Sequence, residues 1–494
     1  MMMMIPETDS SQFPSFVFRF CETKKRKTRK ARNKRTNEQL VMKNKIKLVI
    51  ALFMSNVVCY ADRVNISVAA VAMRDALDWT STEQGVRTVE NRKTFRYSHT
   101  QNTQIVLGSF FVGYAINQIP SGIMATKYGG RNVLCVAMLG WGIMTILTPL
   151  SARLGFYPLL FCRVVMGMFE ALAIPSIHAL IGERVPKDER SRVVTTCTAG
   201  QYVGCVLALS SSPLVSWSWE VVFYLFGSLS ILYVFFLLRV VPARTTKNKG
   251  FSPLSNEEDG VELVSVRNNT HHDGLVVESR EYNINVRDVL KSLTYVPFLA
   301  VVICHVAHNY GYYVLLSWLP TYFNDELKID ITHVGVAALL PYMFSAIVDI
   351  LFGQVADFLI EKKGFTRTFT RKLAQMLAFL IPSICLLCLS VFKVSSVFAA
   401  VSLLCVALAT NTFSHAGYWS NIVDIDPDRA GFLCGISNFF ATLPGIYGNS
   451  LTGYILGGGG DGAWGDVFLV TIIHWAIGGV VYTIFARADT VSMA

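Results

Sequence analysis

The chain has 494 residues, 52% of them hydrophobic and only 16% charged, with a mean hydropathy of +0.43. A soluble protein carries charge on about a quarter of its residues, so this composition excludes a soluble globular domain. The net charge is +10, but residues 1–47 hold 13 Lys/Arg against 4 Asp/Glu, which leaves the remainder nearly neutral.

In chain order, residues 1–45 come first, with the run Lys24-Lys25-Arg26-Lys27-Thr28-Arg29-Lys30 continuing to Arg35. Ahead of a membrane span this reads as a disordered basic tail on the cytosolic side rather than a nucleic-acid-binding arm. Residues 1–20 lack a charged leader followed by an apolar core, so no cleavable signal peptide is expected, and several Met residues, Met42 among them, are candidate starts. Apolar runs of about twenty residues, long enough to cross a bilayer, then recur to the end of the chain. Twelve spans are expected, at 46–72, 105–126, 132–151, 156–181, 193–215, 220–241, 295–322, 333–360, 373–392, 395–417, 430–456 and 465–486.

The expected fold is an all-α membrane protein of twelve helices in two six-helix halves. The halves run 46–241 and 292–487, joined by a polar, flexible linker at 242–291 and closed by a short tail, 488–494. Loops after the even spans hold the basic residues, such as Lys127/Arg131 and Arg184/Lys187/Arg190/Arg192, so both termini are expected in the cytosol. The loop between spans 1 and 2 breaks that rule with Arg87, Arg92, Lys93 and Arg96 in a polar insert, 86–104. Without it Thr82-Glu83-Gln84-Gly85 would join Ile105-Val106-Leu107-Gly108 smoothly, which suggests an inserted segment or a retained intron. Cys385 and Cys388 form a C-x-x-C within an apolar helix, where buried thiols act as small hydrophobes rather than ligands. His271-His272 lies in the polar linker and reads as solvated.

A few charges remain inside apolar spans. A charge in mid-bilayer costs about 3 kcal/mol on insertion scales, so each asks for a use. Arg163 and Glu170 stand seven residues apart in span 4, close to two helical turns, and are expected on one face. Asp62 and Arg63 lie deep in span 1. A guanidinium is a planar, permanently charged fork suited to carboxylate or phosphate, and a Glu shielded from water can load and release a proton near neutral pH. Each also has a purely structural reading: Arg63 paired with Glu170 or Asp62, or Arg163 and Glu170 fastening span 4 to its neighbours. Asp62 either pairs with Arg63 or Arg163 or helps to bind Na⁺ or H⁺.

The halves echo each other. Gly122-Ile123-Met124-Ala125-Thr126-Lys127-Tyr128-Gly129-Gly130-Arg131 follows span 2, and Gly353-Gln354-Val355-Ala356-Asp357-Phe358 with Lys362-Lys363-Gly364 follows span 8. The first of these loops resembles the signature of the major facilitator superfamily. Asp62-Arg63-Val64-Asn65-Ile66-Ser67, Gly108-Ser109-Phe110-Phe111-x-Gly113-Tyr114, Arg163-x-x-x-Gly167-x-x-Glu170 and His308-Asn309-Tyr310-Gly311 are similar to motifs of its anion symporter family. That family contains vesicular glutamate transporters, sialin and plant-type phosphate/ascorbate transporters. The resemblance covers residues 46–486 apart from the insert and linker.

The resemblance implies a secondary transporter of a small anion, with phosphate favoured and ascorbate or another carboxylate as alternatives, coupled to H⁺ or Na⁺ by alternating access. It places Arg63, Arg163, His308, Tyr114 and Tyr313 at the substrate and Glu170, with Asp62, at the coupling ion. It places Lys127, Arg131, Arg190 and Asp357 in the gate loops. The glutamate branch carries His where this chain has Leu107 and Arg where it has His308, which argues against glutamate. With Thr126 in place of the usual acid in the first gate loop, the conformational lock is expected to rest more on Asp357. His305, one turn before His308, has no acidic partner nearby in sequence, so no metal is expected there. No nucleophile–base set and no nucleotide loop appears, so neither catalysis nor a cofactor beyond the co-transported ion is expected. The expected surroundings are a small anion and the lipid bilayer, with the chain acting as a monomer and binding no nucleic acid. An anion uniporter or channel, or a non-translocating anion sensor, remains as an alternative.

Overall fold

The computed structural model describes residues 45–66, 69, 73, 108–215, 217–242, 286–328, 331–392, 394, 396–457 and 462–489. The basic tail, the 86–104 insert, Leu107, His271-His272 and most of the linker lie outside the described residues. The chain divides into two units after Ile50. Within the first, residues 45–50 are helical; the second holds everything considered below.

Among the described residues all regular structure is helical, and eleven helices are long and apolar enough to cross a membrane. Helices satisfy every backbone group internally, as a span without water to bond must. The first is α1 (Lys45–Ile66). Where a second span was expected at 105–126, two shorter helices appear, α2 (residues 108–116) and α3 (Gln118–Tyr128). Asn117 leaves helical geometry at φ −94° and ψ 2°, and Pro120 has no N–H to return to the carbonyl of Ile116. Neither piece alone is long enough to span a bilayer, and this stretch is not among the eleven candidate spans.

After α3 the chain reverses on Gly129, at φ +83°, a left-handed conformation that favours glycine. The expected gate loop is therefore a single residue, and Lys127 and Arg131 sit on helix ends instead. Next come α4 (Gly130–Leu154), α5 (Phe156–Glu170) and α6 (Ala173–Arg184). The last two are one expected span interrupted at Ala171–Leu172; Pro175 cannot donate to the carbonyl of Ala171. Then follow α7 (Arg190–Ser210), the short α8 (Ser212–Val215) and α9 (Val221–Val240). On α9 Val222, Phe223, Phe226 and Leu237 are buried while Leu232 and Phe235 are about two-thirds exposed. Such an outer face suits lipid, not water.

After residues 243–285, which lie outside the described residues, comes α10 (Val286–Thr294), overlapping the end of the expected linker. Val286, Val289 and Leu293 recur at helical spacing, and that periodicity turns residues 286–291 into a helix. The chain continues through α11 (Val296–Asp325), α12 (Ile331–Glu361), α13 (Arg367–Val391) and α14 (Val397–Asn411). A 3₁₀ turn, Thr412–His415, separates α14 from α15 (Tyr418–Ile425). The opened backbone there is met by Gln375 of α13, whose Oε1 accepts from the Tyr418 amide at 3.3 Å and whose Nε2 donates to Ser414 Oγ at 3.2 Å. The chain closes with α16 (Ala430–Gly457) and α17 (Ala463–Phe485). Across the halves α7 packs along α12, and α3 and α6 pack against α16.

Candidate functional site

A cavity lies between helices of the N-terminal and C-terminal parts of the chain. Arg63 of α1, Tyr114 of α2 and Tyr202 of α7 line one side; His308 and Tyr313 of α11 and His415 line the other.

Arg63 is the cation of this cavity. Its Nε donates to Oε1 of Glu170 at 2.5 Å, and the same oxygen accepts from the Cys59 thiol at 3.3 Å. Glu170 is 1% exposed and Arg63 12%. The guanidinium carbon stands 4.6 Å from the ring centre of Tyr60, 4.9 Å from Tyr114 and 5.4 Å from Phe110. Rings at these distances offer the cation a favourable contact with their faces. Arg63 Nη2 and Glu170 Oε2 have no protein partner. Of the readings left open by the sequence, Arg63 thus pairs with Glu170. It does so because Glu170 is the last residue of α5, at the interruption before α6.

Arg163 lies elsewhere. It is buried behind Phe110, its guanidinium carbon 5.2 Å from that ring, so Phe110 has both guanidinium groups within 5.4 Å of its centre. Its Nη1 donates to the Met166 sulfur at 3.1 Å, and its Nε has no partner. It does not line the cavity. The close fit of α2 and α5 depends on Gly113 and Gly167: a Cβ on the first would meet the Val164 carbonyl, and on the second the Phe110 carbonyl. Asp62 is fully buried between α1 and α4, accepting from Thr145 Oγ1 at 2.7 Å and Asn65 Nδ2 at 3.2 Å. Among the described residues no ion pair joins it to Arg63 or Arg163.

His308 Nδ1 is buried with no protein partner, as is the Tyr312 hydroxyl one turn later. His305 also lines the cavity, with Nδ1 2.8 Å from Ser437 Oγ. Tyr114 crosses between the halves: its hydroxyl accepts from Asn438 Nδ2 at 3.1 Å. Tyr313 meets Phe111 edge to face at 5.6 Å, a second contact across the cavity.

A charged cluster joins the halves at the end expected to face the cytosol. Arg190, 3% exposed, donates Nη1 to Asp424 Oδ1 and to the Val423 carbonyl, both at 3.2 Å. Arg371 grips Oδ2 of the same carboxylate with Nε at 2.9 Å and reaches Ser191 Oγ with Nη1 at 2.6 Å. Asp357 accepts the Arg192 amide at 2.8 Å, and Glu361 accepts from the Arg192 side chain at 3.3 Å. Arg131 instead donates to the Leu238 carbonyl within its own half, and Lys127 lies over the Tyr128 ring. Asp424 and Arg371, the centre of this cluster, were not singled out in the sequence. Asp424 is flanked by apolar residues in Ile422-Val423-Asp424-Ile425, and a search for carboxylates in such settings would have found it.

The Major Facilitator Superfamily pattern matches residues 52–449. Over 448 residues the chain is 35% identical to the ascorbate transporter, chloroplastic, of Arabidopsis thaliana, spanning 90% of this chain and 75% of that one. It is 32% identical to sialin of Homo sapiens, over 90% of each chain, and 32% identical to the sodium-dependent phosphate transport protein 1, chloroplastic, of Arabidopsis thaliana, over 90% and 79%. Among solved structures, the proton:xylose symporter XylE bound to 6-bromo-6-deoxy-D-glucose aligns over 90% of this chain and 97% of that one. The TM-score is 0.66 at 13% identity, a likeness of fold.

Proposed function

The chain belongs to the Major Facilitator Superfamily and to its anion-transporter family, and from that premise we propose that it carries a small anion across a membrane by alternating access. The proposal includes coupling to H⁺ or Na⁺ and rocking of two six-helix halves about the central cavity, with both termini in the cytosol. The observation that carries it is the buried ion pair that Glu170 makes with Arg63, the cation lining the cavity.

An entering anion and the Glu170 carboxylate compete for one guanidinium. Protonation of Glu170 removes its claim and leaves Arg63, beside the rings of Tyr60 and Tyr114, to bind the anion. Loss of the proton restores the pair and expels the anion. Proton and anion therefore enter and leave together. Arg163, behind Phe110, adds positive potential without contact. His308 and the Tyr114 and Tyr313 hydroxyls supply hydrogen-bond donors around the cargo. The Arg190–Asp424–Arg371 cluster and the Asp357 contacts hold one end shut and part when that end opens.

Phosphate is the proposed cargo, matched to the planar fork of Arg63. A ring-bearing organic anion of the ascorbate type is the second reading, favoured by an aromatic lining that includes Tyr60, Tyr202, Tyr312 and Trp419. Counterflow into proteoliposomes with phosphate, ascorbate, glutamate and nucleotides, at varied pH and Na⁺, tests both. Saturable exchange of phosphate or ascorbate, but not glutamate, is expected. Specific binding without flux would identify a sensor, and flux that never runs uphill a channel or uniporter.

A further inference from the structure

A second pair of ionisable groups is buried on the far side of the cavity. His415 Nδ1 lies 2.8 Å from Asp349 Oδ2. Asp349 is fully buried in the middle of α12, and its other oxygen, Oδ1, is sealed from water with no partner. His415 stands at the interruption between α14 and α15, as Glu170 stands at the one between α5 and α6. Its ring lines the cavity while its Nδ1 faces Asp349. The third member comes from the other half: Thr198 of α7 donates Oγ1 to the same Asp349 oxygen at 2.9 Å. That hydroxyl also lies 3.0 Å from the Val194 carbonyl. It has one hydrogen and serves one acceptor at a time.

We propose that Asp349 and His415 form a second proton-binding site, filled from the cavity through His415 and sensed by the opposite half through Thr198. A bare carboxylate oxygen in an apolar setting is costly, and a proton on the carboxyl removes that cost. The transfer balances as a relay. A proton arrives on Nε2 of the ring, the Nδ1 proton passes to Asp349 Oδ2, and the ring is again neutral in its other tautomer. The neutral carboxyl no longer draws the Thr198 hydrogen, which turns to Val194. A link between α12 and α7 is thereby loosened, where those helices pack along each other. The titratable groups around the pair are Cys197 and Tyr202 of α7, His178 of α6, and His305 and His308 of α11, with the His308 ring 6.1 Å from that of His415. None of these is a fixed charge; Arg63, paired with Glu170, is the permanent cation that lines the same cavity.

This site stands apart from the identity of the cargo and from Glu170. Infrared titration of the full chain in lipid nanodiscs, in H₂O and D₂O, tests it. The wild-type minus Asp349→Asn difference should contain one protonated-carboxyl band that titrates with pH. Asp349→Glu should keep such a band at a shifted frequency. His415→Gln and Thr198→Val should each keep the band and move its midpoint by about one pH unit, a tenfold change in proton affinity. A difference spectrum without a titrating carboxyl, or a midpoint indifferent to both His415→Gln and Thr198→Val, would overturn the proposal. The spectra need no transported anion, so a chain that carries neither phosphate nor ascorbate still answers the question.

Discussion

At the residue scale, the Arg63–Glu170 ion pair has a stability role separable from its proposed role in binding. Removing one partner of a buried pair strands the other charge, at a cost of about 3–5 kcal/mol. Arg63→Ala should therefore lower the melting temperature of the purified protein sharply. Arg63→Ala combined with Glu170→Gln should recover most of that loss, because no charge is then stranded, yet bind no anion. A double variant that is as unstable as Arg63→Ala alone would show that the pair is not the source of the penalty. Arg63 and Glu170 were legible in the sequence because each is a charge within an apolar run. Their partnership stood only as one open reading beside Arg63 with Asp62 and Arg163 with Glu170, because spacing within one helix cannot show which charge arrives from another. The same logic applied to Asp349, which sits in Ser345-Ala346-Ile347-Val348-Asp349-Ile350, would have marked it. His415 was hidden, because nothing in apolar periodicity marks where α14 stops.

At the element scale, the interrupted helices matter most. Helical interruptions bring backbone groups and chain ends to the protein interior, which is tolerated only where they face protein or a cavity. Pro175→Ala restores the missing N–H and should allow α5 and α6 to join, drawing Glu170 away from Arg63. Expression and membrane insertion should persist while counterflow falls at least about tenfold, the equivalent of about 1.4 kcal/mol in transition-state free energy. Full activity in that variant would mean the interruption is incidental. The charged end of the molecule offers another test. Asp424→Asn leaves Arg190 and Arg371 facing each other, buried and without their shared carboxylate. Spin labels on Lys187→Cys and Lys362→Cys, one in each half, should then report a larger population of long distances. An unchanged distribution would show that Asp424 does not hold this end closed. Which helices exist was readable from apolar runs and from Pro and Gly. At span 2, apolar length alone does not show the division at Asn117, beside Pro120.

At the scale of the whole molecule, the all-α membrane character followed from composition, and most span positions from hydrophobic length. The cavity did not follow, because it is made by side chains from helices far apart in sequence, as Tyr114 and Asn438 show. The polar insert at 86–104 lies outside the described residues, and its sequence reading as a dispensable segment has a direct check. A chain lacking 86–104 should insert and exchange anion as the full chain does; loss of transport with normal insertion would make the segment functional. The central claim is that one carboxyl, Glu170, links proton to anion through Arg63. Uptake of labelled phosphate and ascorbate into proteoliposomes, with and without an imposed pH gradient, tests it most directly when wild type is compared with Glu170→Gln. Wild type should accumulate anion above equilibrium under the gradient, and Glu170→Gln should keep anion exchange but lose gradient-driven accumulation. Accumulation by Glu170→Gln equal to wild type would contradict the account.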